Sequence, residues 1–136
     1  MQFVPYLAFD GTCEAAFRFY EKCLGAKVVA LIPHEGTPAE SEVPPAWRKK
    51  IIHACLEWDG QMLMGGDAPP GQYTRPAGFS VSLHPTDVRD AERLFAALSE
   101  GGEVRMPLQE TFWALRFGML VDRFGTPWMV NCSRPM

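Results

Sequence analysis

Hydrophobic and polar positions follow two different periods along the first part of the chain. Residues 3–9 form a short apolar run, and residues 13–24 place apolar side chains every three or four positions, as a helix with one buried face does. Thr12 is a candidate N-cap for this helix and Gly25 is a candidate C-terminal stop. Residues 26–32 are rich in β-branched side chains. The pattern predicts a strand, a helix and a second strand.

A loop and a hairpin follow. Residues 33–47 contain four prolines and several acidic residues, which is typical of a long mobile loop. Residues 51–58 and 61–64 are apolar enough for two strands, and Asp59-Gly60 between them favours a tight hairpin turn.

The same order of elements returns in the second half. A strand pattern is followed by a helical pattern that starts at Asp87 and stops at Gly101-Gly102, and then by three more strand patterns. The predicted strands are residues 79–83, 104–106, 115–121 and 127–132, with a turn at 122–125 before the last one.

Each half is therefore predicted as a βαβββ module of an α+β fold. A sheet with a single helix cannot cover both of its faces, so we expect the two modules to share one domain. The predicted boundaries are 1–136 for the single domain, about 1–67 for module one, about 68–77 for the linker and about 78–136 for module two.

Composition and charge remove several classes of partner. Charged residues make up 21% of the chain and the net charge is −3, without the clustered Lys and Arg that phosphate contacts need. There is no apolar stretch of about 18 residues and no signal-peptide pattern at the start. The 4 cysteines form no Cys-x-x-Cys pair and lie in apolar segments, as buried reduced thiols do. We expect a cytoplasmic protein that binds neither nucleic acid nor a membrane.

Three segments carry a resemblance to a known family. "YLAFDGTCEAAFRFYEKCLGAKV", "HACLEWDGQMLMGGDAP" and "TFWALRFGMLVDRFGTPWMVN" resemble the PhnB-like branch of the glyoxalase/bleomycin-resistance/extradiol-dioxygenase superfamily, also called the vicinal oxygen chelate proteins. The resemblance covers nearly the whole chain. It implies two βαβββ modules whose sheets curve around a cleft, and a homodimer as the assembly.

The resemblance also implies where a metal would bind. In catalytic members, His, Gln or Glu side chains from the first and last strands of each module hold a divalent ion in the cleft. Carried onto this chain, the positions are Val4, Met64, Gly78 and Met129, with Phe79 replacing Gly78 if the register slips by one residue. None of these side chains suits a hard divalent ion, and a thioether suits only soft ions such as Cu(I). We therefore expect no metal cofactor and none of the chemistry that depends on it.

Strand alternation predicts which side chains face the cleft instead. His53, Cys55 and Glu57 share one face of the third strand. They could act as a general base, a thiol nucleophile and an orienting acid, or they could form a polar wall of the cleft. Side chains in such a row are about 7 Å apart, which favours the polar wall. Trp113 beside Arg116 can stack on and pair with an anionic or carbonyl-bearing ligand, or Trp113 can close the core. The predicted cleft residues are Tyr6, His53, Cys55, Glu57, Met64, Ser80, Trp113, Arg116 and Met129.

The function predicted from these residues is metal-free binding of a small apolar or aromatic molecule in the cleft, with Met62, Met64 and Met129 as an adaptable wall. One alternative is a metal-dependent lyase, isomerase or dioxygenase of the superfamily that uses non-standard ligands such as His53, Glu57 and His84. A further alternative is an assembly or regulatory module whose cleft is vestigial.

Overall fold

The structure, a computed structural model, describes residues 1–135. The chain divides into two compact units, Met1–Thr74 (unit one) and Arg75–Met136 (unit two). Each unit contains one four-stranded mixed sheet and one α-helix. The predicted α+β class and the repeated order of elements are confirmed.

Unit one contains four strands and one α-helix in the order that the apolar pattern predicts. The sheet order is β1-β4-β3-β2, in which β1 runs parallel to β4 and the other neighbours are antiparallel. The elements are β1 (Tyr6–Phe9), α1 (Cys13–Leu24), β2 (Lys27–Pro33), β3 (Ile51–Trp58) and β4 (Gln61–Asp67).

The bounds of α1 agree with the prediction, but its N-terminus is held differently. Thr12 occupies the N-cap position and its side chain makes no capping hydrogen bond. The backbone N–H of Cys13 instead donates to Asp67 Oδ1 at 3.0 Å, and Asp67 Oδ2 accepts the N–H of Ile51 at 2.8 Å. The last residue of β4 thus satisfies a donor at the start of α1 and another at the start of β3. At the other end of α1, Gly25 takes the predicted left-handed conformation, with φ 65°.

The segment predicted as a mobile loop has local structure. It contains two short 3₁₀ helices, Pro38–Glu42 and Pro45–Trp47. The carbonyl of Lys50 accepts the backbone N–H of His34 at 3.1 Å and lies 2.8 Å from His34 Nδ1, and Lys50 Nζ donates to the carbonyl of Gly11 at 3.0 Å. These bonds tie the segment to β3 and to the turn before α1.

Unit two repeats the topology with its own five elements. Its sheet order is β5-β8-β7-β6, with β5 parallel to β8. Asp87 caps the helix, because its side chain accepts the N–H of Asp90 at 2.8 Å. The elements are β5 (Val81–Leu83), α2 (Val88–Ser99), β6 (Glu103–Gln109), β7 (Ala114–Val121) and β8 (Pro127–Ser133).

The buried side chains lie between each helix and its sheet. In unit one, Leu7 and Phe9 of β1 are buried, and Phe9 contacts Phe17 and Tyr20 of α1 with ring centroids 6.1 and 6.4 Å apart. In unit two, alternate residues of β8 are fully buried on the side of α2: Trp128, Val130 and Cys132. The residues between them therefore lie on the opposite face of the sheet.

Candidate ligand-binding surfaces

Each sheet has one face that its own helix leaves uncovered, here called the helix-free face. In unit one this face carries a row of side chains that are direct cross-strand neighbours. Tyr6 lies opposite Met64, Met64 lies opposite Cys55, and Cys55 lies opposite Ala30. Directly opposed residues have Cβ atoms about 5 Å apart. The structure therefore brings together three of the predicted site residues, Tyr6, Cys55 and Met64.

The side chain of Tyr6 crosses the sheet and meets His53. Its hydroxyl donates to the carbonyl of Ile52 at 3.2 Å and lies 3.4 Å from His53 Nδ1, and the two rings stack with centroids 5.9 Å apart. Gly66 leaves room for this crossing, since a Cβ there would lie 3.1 Å from the Tyr6 hydroxyl and 2.4 Å from the Ile52 carbonyl. Burial, and then the negative charge that Cys13 carries when it is ionised, raise the pKa of Tyr6, so its hydroxyl remains a proton donor at neutral pH. Strand alternation alone did not reveal the role of Gly66.

Cys55 is not arranged as a nucleophile. It is buried, and burial followed by the charge of Glu57 raises its pKa, so the thiol stays protonated at neutral pH. His53, Cys55 and Glu57 form a row along β3, as alternation predicts, and Glu57 is exposed at the end of it. Within residues 1–135, no group of three or more His, Cys, Asp or Glu side chains could hold a metal ion.

Cys13 is a second thiol that the fold keeps unreactive. It is fully buried at the start of α1 beside Asp67. Burial, and then the carboxylates of Asp67 and Glu14, raise the pKa of Cys13 to about 12. The thiolate form that nucleophilic chemistry needs is therefore absent at neutral pH.

The helix-free face of unit two carries a row of methionines. Met106, Met119 and Met129 are directly opposed on β6, β7 and β8, and Ser82 of β5 extends the row beyond Met129. We call Met106, Met119 and Met129 the methionine row. Met64 and Met129 hold equivalent positions, because each lies opposite the first strand of its own unit. Ser80, the serine predicted from sequence, precedes β5.

A groove of about 260 Å³ lies in unit two at the end of β8 that follows Met129. His84 stands at its edge, with Nε2 2.8 Å from Ser82 Oγ. Asn131, two residues after Met129 on β8, has a buried Oδ1 without a hydrogen-bond partner. The groove is lined by His84, Pro85, Thr86, Leu115, Asn131, Ser133 and Pro135. Strand alternation predicts that His84 and Asn131 face the cleft, and sequence reasoning selected none of the other five residues.

The structure does not place Trp113 and Arg116 in one site. The Trp113 ring contacts Phe117, with centroids 5.3 Å apart, and Phe117 lies opposite Asn131 on the helix-free face. Arg116 points to the other side of the sheet, where its Nε is 3.7 Å from Glu92 Oε1 on α2. Arg116 lies opposite the buried Cys132, in the same register that pairs Gly118 with Val130 and Leu120 with Trp128. Trp113 therefore has Phe117 as an aromatic neighbour, and Arg116 lies on the other face of the sheet.

The residues at the family's metal positions do not fit a divalent cation. Val4 precedes β1, and Gly78 and Phe79 precede β5. On the first strand of each unit, the side chains opposite Met64 and Met129 are Tyr6 and Ser82; on the other side, Met64 lies opposite the buried, protonated Cys55 and Met129 lies opposite Met119. A phenol, a hydroxyl and thioethers are not the imidazole and carboxylate ligands that zinc, iron, manganese or nickel prefer.

No helix in the described part of the chain, residues 1–135, has the length and apolar character needed to cross a membrane.

Comparison with known proteins adds a family and several relatives. The family model described as the Glyoxalase/Bleomycin resistance protein/Dioxygenase superfamily matches residues 2–130. Protein YjdN from Escherichia coli K12 is 34% identical over 142 residues, which cover 96% of this chain and 95% of that protein. The crystal structure of protein PA1353 from Pseudomonas aeruginosa is 45% identical, with a TM-score of 0.88 and 99% of each chain covered. A PhnB protein from Bacillus cereus has a TM-score of 0.80 at 22% identity, covers 96% of this chain and 98% of its own, and shares the fold.

Proposed function

The chain belongs to the glyoxalase/bleomycin resistance protein/dioxygenase superfamily, and on that basis we propose that it is a PhnB-like member that binds a small apolar or aromatic molecule without a metal ion. The binding surface is the helix-free face of the sheets. The observation that carries the proposal is the methionine row, which shares strand β8 with the groove of unit two.

The methionine row supports an apolar ligand. Met106, Met119 and Met129 are partly exposed on a face that α2 does not cover. Methionine is flexible and polarizable, so a set of them adapts to ligands of different shapes. Covering such a side chain is favourable by up to about 1.5–3 kcal/mol. Phe117 and Trp113 add aromatic surface on the same sheet, where ring stacking favours planar ligands.

The same positions support binding without a metal. Met64 and Met129 stand where metal-dependent members of the superfamily hold their ion, and their cross-strand neighbours Tyr6 and Ser82 are poor ligands for hard cations. The raised pKa of Cys55 also leaves the row on β3 without an activated thiol nucleophile.

We further propose that the protein acts as a homodimer in the cytoplasm. The superfamily resemblance supports the dimer, and the 4 free buried cysteines suit a reducing compartment. Light scattering that gives the mass of one chain across the micromolar range would contradict the dimer.

Binding of the neutral aromatic probe N-phenyl-1-naphthylamine tests the proposed function. We expect saturable fluorescence enhancement with the purified full chain, and at least a tenfold weaker affinity for Met129→Glu, because the new carboxylate must lose its water when the probe binds. Val104→Glu is the charge-matched control: Val104 lies opposite the buried Leu120, on the other face from Met129.

Two results would contradict the proposal. The first is that Met129→Glu and Val104→Glu lose probe affinity equally, or that neither variant loses any. The other is stoichiometric zinc, iron, manganese or nickel in protein purified without chelator, when that metal is lost in His53→Ala. The second result would favour the metal-dependent enzyme with His53, Glu57 and His84 as ligands.

A further inference from the structure

We propose that the groove beside Asn131 in unit two selects a neutral one- or two-ring aromatic molecule that carries an N–H or O–H donor, as indoles and phenols do. The inference rests on the proposed function and narrows it to a class of ligand. Three properties of the groove support it: its size, its lack of cationic lining residues, and an acceptor that the fold leaves unpaired.

The size of the groove suits a small ring system. Its volume is about 260 Å³, and a protein cavity of about 150 Å³ is already large enough for benzene. Pro85, Leu115 and Pro135 supply apolar contacts along it. A bicyclic aromatic molecule fits this volume, whereas larger ligands of the kind that occupy pockets of about 300–1,000 Å³ would extend beyond it.

The lining residues disfavour an anionic ligand. None of the seven is Lys or Arg. A carboxylate or phosphate entering the groove would lose water without gaining an ion pair, which is costly. The polar groups present are neutral hydroxyls, the Asn131 amide and the His84 ring, whose Nε2 already bonds with Ser82 Oγ.

Asn131 supplies the specificity. Its Oδ1 is buried and accepts no hydrogen bond, although the same side chain lines the groove. A buried acceptor without a donor costs about 1–3 kcal/mol. The χ2 torsion of asparagine is broad, so a limited rotation can expose Oδ1 to the groove, whereas a full flip would bury the NH2 group in its place. A ligand that brings an N–H or O–H then satisfies this oxygen, and one without a donor does not.

A pair of matched ligands tests the inference on the full chain. Indole carries an N–H donor, and 1-methylindole has the same rings without it. We expect calorimetry to show about five- to tenfold tighter binding of indole by the natural chain, the range that one hydrogen bond contributes. In Asn131→Leu, which keeps the branched shape of the side chain, the two ligands should bind equally. Gln109→Leu is the control, because Gln109 is an exposed amide opposite Phe117 and is not among the groove residues.

The possible failures separate the inference from the proposed function. If neither ligand binds this groove while N-phenyl-1-naphthylamine still binds the chain, the inference is overturned and the proposed function stands. Equal binding of both ligands by the natural chain, or a preference for indole that survives in Asn131→Leu, also overturns the inference. If Asn131→Leu does not fold, Asn131→Ala removes the same acceptor, and a preserved preference for indole in that variant contradicts the role of Asn131. If none of the three aromatics binds, both proposals fail.

Discussion

Asp122 shows how much a single side chain organises in the turn before β8. Its Oδ1 accepts the backbone N–H groups of Phe124 at 2.7 Å and Thr126 at 3.1 Å, and its Oδ2 accepts the indole N–H of Trp128 at 2.8 Å. Asp122 is only 4% exposed, and Trp128 is fully buried. The turn and the largest core side chain of unit two are therefore held by one group.

At this residue we expect Asp122→Asn to lower the free energy of unfolding by about 2–3 kcal/mol, measured by urea denaturation. An asparagine keeps one acceptor oxygen but turns an NH2 group toward either the indole N–H or the backbone donors, so one buried donor loses its partner. In a Trp128→Phe background, where the indole donor is absent, the same substitution should cost clearly less. Equal costs in both backgrounds would contradict the bond between Asp122 and Trp128 as the reason.

Alternation within one strand predicts which face of the sheet a side chain occupies, whereas its neighbours on the adjacent strands depend on the register, which the sequence does not give. The cross-strand equivalence of Met64 and Met129 agrees with the repeated pattern. Arg116 does not lie on the face of Met129, because strand alternation puts it on the same face as Gly118 and Leu120, beside α2. Trp113 and Arg116 are three residues apart, so their closeness in the sequence does not place them on one face of a strand. The site as a whole stays a prediction.

At the scale of elements, each helix lies close to its sheet where a glycine permits it. In unit two, a Cβ on Gly118 of β7 would lie 2.7 Å from Phe95 Cε2 on α2 and 3.0 Å from the Cα of Leu108 on β6. In unit one, Gly65 of β4 plays the corresponding role against Phe17 of α1, at 3.0 Å. These glycines have ordinary backbone angles, so close packing rather than a turn requires them.

For the packing of α2 we expect Gly118→Ala to destabilise the chain by about 1–3 kcal/mol, since the added methyl must push away a ring and a strand. Phe95→Leu removes the ring atom that is nearest to the new methyl. Thermal denaturation of the double variant should therefore show a smaller loss than the sum of the single losses. Additive losses would mean that the Leu108 backbone, and not the ring, limits this position.

The elements that the sequence predicts best are those defined by local periodicity. The bounds of α1 agree with the prediction, and those of α2 follow directly after Asp87. β4 continues three residues beyond Met64 because Gly65, Gly66 and Asp67 pair with β1, although two glycines alone favour a linker. Asp67 itself caps a helix that begins 54 residues earlier, and no local sequence pattern predicts this contact.

For the whole molecule, the repeat predicts the architecture more fully than the site. Both units show the same sheet order and the same place for the helix, as two βαβββ modules require. The groove, by contrast, combines the segment after β5 with β7 and the end of β8. Its residues are distant from one another in the sequence, and none of them alone has a sequence pattern that indicates a binding site. The pairing of strands creates the groove, and hydrophobic patterning does not encode which strand ends will meet.

The last prediction concerns the single domain expected from the sequence. A chain of about 60–75 residues with one helix on one sheet is marginal alone, because it buries too little apolar surface. We therefore expect units one and two to unfold together. Asp67→Ala removes two hydrogen bonds within unit one and should reduce the hydrogen-exchange protection of α2, in unit two, by a factor similar to that in α1.

The control for this experiment is Glu42→Gln, an exposed substitution in the same unit that should change the protection of neither helix. If Asp67→Ala lowers protection in α1 and leaves α2 unchanged, the units are independently stable, and the prediction of one domain is wrong. If the protection of both helices falls, the stability of each helix-free face depends on the whole chain. Substitutions such as Met129→Glu must then be judged by ligand affinity and unfolding free energy measured together.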